Sequence, residues 1–466
     1  MGLVGAVATC VGLIVATNVF MTLSQGVGFA GRGIIIPMVL VCILNIFVAL
    51  SFSELNGLMP GSGGISSYTL AAMGPFVSLV AVVGGYLICQ IFAATAEAAL
   101  IGFVINAAFL PSIPPVVISL AIVIFLFIVN ILGIRSFAMT QIIVTGFLIL
   151  SMLVFGLAGV LGINAGTPVV QEFTSFNHMG WGVIALAPLA FWLFIGVEFI
   201  TPLTKDLKNP KRDVPLAMIS GLLLLLVVQI IMAFALNKYL PADVLANSTQ
   251  PHVDFAQALF NRPGVMWMGL VSVAAAISTL NTVFSSISRL CFGMAAEGML
   301  PKIFTKVNRW RSPGWGLTIL FVLFFFILVT GITTAQDITF LILTGCLFWM
   351  VSYVIAHIDV LVLRKRYPDR ERSFKCFGKG IPQIIGIIGT AIMIFNIHPE
   401  PDMRTRIYSM AAIWAIILIV YSAVWVKLKM KTQLFKPVSI DEVLAREEEV
   451  RKLEEKYLGD GASLSS

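Results

Sequence analysis

Charge is what this sequence has least of. Only 11% of its 466 residues are Asp, Glu, Lys or Arg, while 59% are hydrophobic, and its mean hydropathy is +0.98. A soluble domain carries about 25% charged residues, so a mainly water-facing surface is excluded and lipid must cover much of the molecule. Paired cysteines are missing as well. Cys10, Cys42, Cys89, Cys291 and Cys346 fall in apolar runs, Cys376 lies in a basic loop, and there is no CxxC pair. That pattern indicates no disulfide framework, zinc site or redox motif. The four histidines are scattered and no nucleophile elbow or metal-ligand spacing occurs, so neither an enzyme nor a cofactor site is read. The apolar runs are continuous rather than alternating, which rules against barrel strands and leaves helices as the way to satisfy the backbone in lipid. Met1 leads straight into apolar sequence without a basic n-region, so no cleavable signal peptide is read.

What the chain does contain is apolar runs of about 20 residues from end to end, the length that crosses a bilayer as a helix. They predict one all-α membrane bundle of about 12 transmembrane helices, at 3–26, 33–57, 75–108, 114–132, 137–163, 181–203, 215–237, 264–292, 315–332, 337–363, 381–397 and 407–427. The third is long enough to need tilt or an extension beyond the bilayer. If the first span runs from inside to outside, 24 Lys and Arg fall in cytoplasmic segments, Arg135 and the 364–379 loop among them. Only 5 fall outside: Arg32, Lys238, Arg262, Arg404 and Arg406. This bias predicts both termini in the cytoplasm. It also accounts for the net charge of +7 without a nucleic-acid partner. Residues 1–430 are expected to form the transmembrane domain and 431–466 a cytoplasmic tail. In the tail, Ser439 to Glu442 reads as a capping box. Val443, Val450, Leu453 and Tyr457 make a thin apolar stripe, of a helix lying on the membrane or bundle, or of a short partner-binding coiled coil.

An acidic residue within a span costs at least ~2.5 kcal/mol on insertion scales and calls for a reason. Glu54, Glu97 and Glu198 qualify. Glu198 follows Phe191-Trp192-Leu193-Phe194-Ile195-Gly196-Val197, between Pro188 and Pro202. Proline removes a backbone donor and glycine weakens a helix, so this span is a candidate broken helix. Freed amides at a helix N-terminus hold a carboxylate, and freed carbonyls hold an ammonium group or Na⁺; the bland alternative is a kinked packing helix. The first span places Ala16, Thr17 and Asn18 at mid-membrane, a second interruption. Two interrupted spans, five apart, suggest inverted repeats around a central site. Glu97 reads as a contact for a cation, as a proton carrier, or as a buried structural glutamate. Glu54 lies near the inner end, where an inner gate or loop ordering is the expected role. Arg289 is expected to bind carbonyls or an inner-gate acid. His357 and Asp359, near the end of the tenth span, read as interfacial.

Four segments together resemble the amino acid–polyamine–organocation (APC) family. They are Ser53-Glu54-Leu55 through Met59-Pro60-Gly61-Ser62-Gly63-Gly64 and Tyr68; Phe191 to Glu198 with Lys208-Asn209-Pro210-Lys211-Arg212-Asp213-Val214-Pro215; Arg289 through Glu297-Gly298-Met299-Leu300-Pro301-Lys302; and Leu363-Arg364-Lys365-Arg366-Tyr367-Pro368 through Arg372-Ser373-Phe374. They cover about 50–430 in the family's order. The resemblance implies a LeuT-like five-plus-five inverted repeat, here about 1–163 and 181–363, with two further helices at about 381–427. It implies a substrate held by unwound backbone of the first and sixth helices. Those positions are Ala16, Thr17 and Asn18, then Phe191, Trp192, Phe194, Ile195 and Gly196, with Thr279 of the eighth span nearby. The sixth-helix wording is most similar to arginine/agmatine and polyamine exchangers. By that likeness Trp192 is an aromatic gate and Glu198 a proton-sensing or cation-facing carboxylate, with Glu97 and Glu54 as further coupling or gating candidates.

Two departures stand out. The family usually has Gly-Ser-Gly where this chain has Ala16-Thr17-Asn18. The fifth-helix Lys of some proton-coupled relatives has no counterpart around Thr140-Gln141-Ile142-Ile143-Val144-Thr145. The eighth span is rich in hydroxyls, and Ser278, Thr279 and Thr282 are the candidate Na⁺ ligands, since oxygen donors suit a hard cation. Back-bonding within the helix is the alternative. The function expected is secondary active transport of amino acids or related amines by alternating access, coupled to H⁺ or Na⁺. The rival is a transporter-like sensor or a subunit of a larger membrane complex.

Overall fold

The computed structural model describes residues 2–60, 64–133, 138–163, 168–169 and 175–458. Arg135, Gly61-Ser62-Gly63 and the side chains of Thr140 and Lys205 lie outside the described residues. Among the described residues the regular structure is all helical, without a strand. In chain order the α-helices are α1 (Leu3–Ile14), α2 (Thr17–Ala30), α3 (Ile35–Leu58), α4 (Ile65–Met73), α5 (Pro75–Val82), α6 (Cys89–Ala108), α7 (Pro115–Ile131), α8 (Ala138–Leu161), α9 (Ala187–Phe191), α10 (Pro210–Tyr239), α11 (Ala242–Asn247), α12 (Pro251–Ala296), α13 (Gly314–Val329), α14 (Ala335–Arg366), α15 (Ile381–Phe395), α16 (Pro401–Leu428) and α17 (Ile440–Leu458). Among the described residues eight helical stretches are long and apolar enough to cross a membrane, and four shorter apolar helices join them. The arrangement agrees with about twelve passes, as the hydrophobic runs predict.

Burial sorts these passes into a centre and a rim. The sixth pass, 180–201, is 83% buried within the molecule, whereas α16 is only 22% buried. α16 turns Ile413, Ile416, Ile417, Val420 and Val424 outward, an apolar face of the kind that lipid covers in a multi-pass membrane protein. The sixth pass is mostly 3₁₀ helix, interrupted at Ile195 and Gly196. The third pass changes hand-over from α5 to α6 through a π-helical turn, Val83–Ile88. There Gly85 faces α14 so closely that a Cβ would lie 2.1 Å from Ser352 Oγ. This contact lets Ser352 donate to the Ala81 carbonyl at 2.7 Å and brings Tyr86 toward the middle of the bundle. α12 begins before the eighth span and turns sharply at Asn261 (φ 53°, ψ −146°).

Two expectations are corrected. His357 and Asp359 are not interfacial: both are fully buried, His357 Nδ1 against Ser51 Oγ at 2.9 Å and Asp359 Oδ2 accepting from Thr69 Oγ1 at 2.6 Å. Partners on α3 and α4 satisfy one polar atom of each, while His357 Nε2 and Asp359 Oδ1 are buried without a hydrogen bond. The apolar stripe of the tail helix is also different. Ile440, Val443 and Leu458 are buried, with Glu447, while Leu453 and Tyr457 stay exposed.

The tail is docked rather than free. Val438 N–H donates to the Leu70 carbonyl, Phe76 N–H to the Leu434 carbonyl, and Ser67 Oγ to the Glu447 carboxylate. Arg370 pairs with Asp441 at 2.9 Å. α17 thereby lies across α4 and the end of α12. Burial pushes two carboxyls there up to about 7: Glu297, just beyond α12, with Glu447 adding to the effect, and Glu454 on α17.

Candidate substrate site

The first pass breaks where α1 gives way to α2. Val15 (φ −79°, ψ 106°) and Ala16 (φ −124°, ψ 169°) are extended, both at negative φ. An extended break needs no glycine, which is how Ala stands where the family usually has Gly. A helix start leaves its first N–H groups without intrahelical partners. Those of Thr17 and Asn18 point at one carboxylate, donating to Glu97 Oε1 at 3.0 Å and Oε2 at 2.9 Å. The Thr17 hydroxyl donates to the Ser272 carbonyl of α12 at 3.1 Å. The Asn18 side chain turns the other way, its Oδ1 accepting from Trp192 Nε1 at 3.0 Å.

The second break lies opposite. Ile195 is extended, and Gly196 sits at φ 111°, ψ 5°, a left-handed conformation that a residue with a Cβ resists. The break frees the Gly196 N–H, which donates to Tyr353 Oη at 3.2 Å. The Leu193 carbonyl is taken by Gln229 Nε2 at 3.0 Å. Two residues on, the Glu198 carboxylate accepts three aromatic donors: Tyr353 Oη at 2.7 Å, Trp349 Nε1 at 2.9 Å and Tyr86 Oη at 3.1 Å. Trp349 meets Tyr353 and Phe199 edge-on, Tyr86 meets Phe199 edge-on and Trp349 at a tilt, at centroid distances of 5.5 to 6.5 Å. Phe191 stands edge-on to Tyr353 at 5.7 Å. Phe194 and Ile195 are buried beside it.

The structure therefore brings Ala16, Thr17, Asn18, Glu97, Trp192, Gly196 and Glu198 to one mid-bundle region. Glu54 is elsewhere. Its carboxylate accepts from Arg364 Nε at 2.7 Å and Nη2 at 2.5 Å, from the Cys376 N–H at 2.8 Å, and faces Arg372 at 3.4 Å. That arrangement holds the loop after α14 against α3. Among the α12 hydroxyls, Thr282 donates to the Ser278 carbonyl at 2.9 Å and Ser288 to that of Ser285 at 3.0 Å. Ser278 is buried and Thr279 half-buried. Tyr86, Trp349 and Tyr353 lie outside the motifs that the sequence carries. The available signal was Trp349 and Tyr353 one helical turn apart within an apolar span, and Tyr86 beside Gly84-Gly85.

Two interrupted helices facing each other inside a lipid-covered bundle define a class, that of multi-pass membrane transporters. A crystal structure of the manganese transporter of Eremococcus coleocola shares this architecture, with a TM-score of 0.56 over 96% of this chain and 94% of that one at 12% identity. That fold is the LeuT-like one. The Amino acid permease family model matches residues 1–422. The chain belongs to that family, within the APC superfamily. Curated relatives agree. The branched-chain amino acid permease BcaP of Bacillus subtilis is 24% identical over 83% of this chain and 85% of its own length. The methylthioribose transporter of the same organism is 25% identical over 84% and 86%. A D-serine/D-alanine/glycine transporter of Escherichia coli is 23% identical over 77% and 79%.

Proposed function

We propose that this chain is a secondary active transporter of the cell membrane that moves amino acids or related amines by alternating access. The observation that carries it is the pairing of the two breaks, with Thr17 and Asn18 amides on one side and Gly196 and Glu198 on the other. Interrupted helices at membrane depth are tolerated beside a cavity or within protein, and they present the backbone groups a small polar solute needs. On this reading residues 1–163 and 181–363 are the two repeats, α15 and α16 are peripheral additions, and both termini lie in the cytoplasm, on the Lys/Arg-rich side. Trp192 closes over the site, Glu198 senses protons or faces a cation, and Ser278, Thr279 and Thr282 are the place to look for Na⁺. The relatives' names range from branched-chain amino acids to methylthioribose, so family membership leaves the substrate to be found by assay.

The test is counterflow in proteoliposomes loaded in turn with amino acids and amines, with Na⁺ or a pH gradient imposed separately. Saturable uptake that Glu198→Gln impairs supports the proposal. Ligand binding without any flux supports a sensor in its place.

A further inference from the structure

Four lysines stand where α16 ends. Lys427, Lys429, Lys431 and Lys436 follow one another with no Asp or Glu between Asp402 and Asp441. All four are exposed. Among the described residues none of them is in an ion pair, whereas Arg370, Arg446 and Arg451 all are. The carbonyl end of a helix favours cations. That accounts for Lys427 and Lys429 but not for Lys431 and Lys436, which lie beyond the last turn. Apolar side chains are interleaved with the lysines: Leu428 is 66% and Phe435 63% exposed, and they follow the outward-facing Val424.

The strip is held in place. Trp425 stacks on Tyr421 at 5.6 Å and donates its Nε1–H to the Gly298 carbonyl at 2.9 Å; Trp and Tyr are the residues of a membrane–water boundary. The Leu434 carbonyl accepts the Phe76 N–H at 3.1 Å, and the Phe435 ring meets Phe76 edge-on at 5.4 Å. Lys429, Thr432 and Lys436 line a cavity of about 540 Å³ that residues of α17 and the end of α12 also line.

We propose that residues 427–436 form a docking surface for an anionic phospholipid of the adjoining leaflet. Its phosphodiester lies among the four ammonium groups, and its acyl chains run over Leu428 and Val424 of α16. Charge and position select this occupant. Lysine binds phosphate as a point charge, and clusters of about four to eight Lys or Arg just beyond a transmembrane helix attract acidic headgroups. Apolar side chains between the cations favour the boundary over water. A soluble anion could use the same ammonium groups but would gain nothing from Leu428 and Phe435. Nothing in this surface depends on what is transported.

The experiment places the full-length protein in phosphatidylcholine nanodiscs and introduces brominated phosphatidylglycerol or brominated phosphatidylcholine as a quencher. The Trp425 share of the fluorescence is taken by difference from Trp425→Phe. Half-quenching is expected at a mole fraction about ten-fold lower, or more, for the brominated phosphatidylglycerol, since each lysine near an acidic surface contributes roughly five-fold. Replacing all four lysines by Gln is expected to abolish this preference. The same replacement at Lys208, Lys211, Lys302 and Lys306, in other loops, is expected to leave it. Equal quenching by the two lipids overturns the proposal, as does a control variant that loses the preference equally. Sodium phosphate that displaces the lipid better than sodium chloride of the same ionic strength assigns the strip to a soluble anion and also overturns it. If the fourfold variant does not fold, Lys431→Gln with Lys436→Gln takes its place, and the comparison of the two lipids on the unaltered protein stands in either case.

Discussion

Replacing Tyr353 by Phe removes one oxygen from the middle of the site and keeps the ring. The ring's packing survives, with Phe52 at 6.0 Å and Phe191 at 5.7 Å. What disappears is a hydroxyl that donates to Glu198 Oε2 at 2.7 Å and accepts the Gly196 N–H at 3.2 Å. In soluble proteins a hydrogen bond to a charged group contributes about 1.5–3 kcal/mol, and an unpaired buried donor costs about 1–3 kcal/mol. Membrane bundles return less. Double-mutant cycles there average about 0.6 kcal/mol and reach about 1.7, because the unfolded chain in lipid finds partners of its own. Glu198 also keeps Trp349 and Tyr86, which limits the loss. The carboxylate places this pair near the top of the membrane range, so coupling between Tyr353→Phe and Glu198→Gln is expected at about 1.5 kcal/mol. The assay is a double-mutant cycle in mixed micelles, with unfolding by SDS followed by tryptophan fluorescence. Additive effects, with coupling under about 0.5 kcal/mol, would show that the contact carries no energy and that Glu198 is not held by its aromatic cage.

Other consequences can be checked separately. Glu198→Gln should fold but lose transport or its pH dependence; unchanged substrate affinity with an unchanged pH profile would sink the role given to this carboxylate. Gly196→Ala has room for its Cβ, with the nearest atom 3.6 Å away, so its cost is conformational, about 1–2 kcal/mol for a left-handed residue. It should lower thermal stability modestly and transport strongly; wild-type behaviour in both would mean that the sixth pass does not need this turn. Docking of α17 should depend on pH. Glu297 and Glu454 are raised to about 7 when docked, so their contribution is fully present below the ordinary carboxylate range. It is lost as pH rises through about 7. Protection of the 440–458 amides, taken relative to the intrinsic exchange rate at each pH, should therefore be higher at pH 5.5 than at pH 8, and Glu454→Gln should blunt the difference; equal protection at both values would refute it.

The sequence made the passes legible because lipid leaves so few alternatives: continuous apolar runs of the right length must be helices, and their bounds came out close to α3, α7, α13 and α15. The broken sixth pass was legible for a local reason, since Pro188 and Gly196 weaken a helix and a costly acid, Glu198, lies in the same stretch. The partners of Glu198 were not. Trp349 and Tyr353 lie about 150 residues away in the chain, and an apolar span containing aromatics looks the same whether its rings face lipid or a carboxylate. His357 and Asp359 were misjudged for a related reason: their distance from the basic end of α14 suggested an interface, while the covering α3 and α4 residues are set by tertiary packing. The tail stripe failed because α17 packs through its first turn and through Glu447, so burial follows the docking surface of α4 rather than the helix's own apolar periodicity.

Glu97 and the absence of glycine from the first break belong to one design. In the resembled family, Gly-Ser-Gly leaves the backbone bare so that a ligand from solution can approach its amides. Here the Glu97 carboxylate occupies that approach. Thr17 and Asn18 turn their side chains away to Ser272 and Trp192, and the extended Val15-Ala16 pair opens the helix without a positive φ. What is left facing the centre is a pair of amides, and a carboxylate from α6 already fills both. A glutamate that satisfies both freed amides has a structural reason to be kept at a depth where it is otherwise costly.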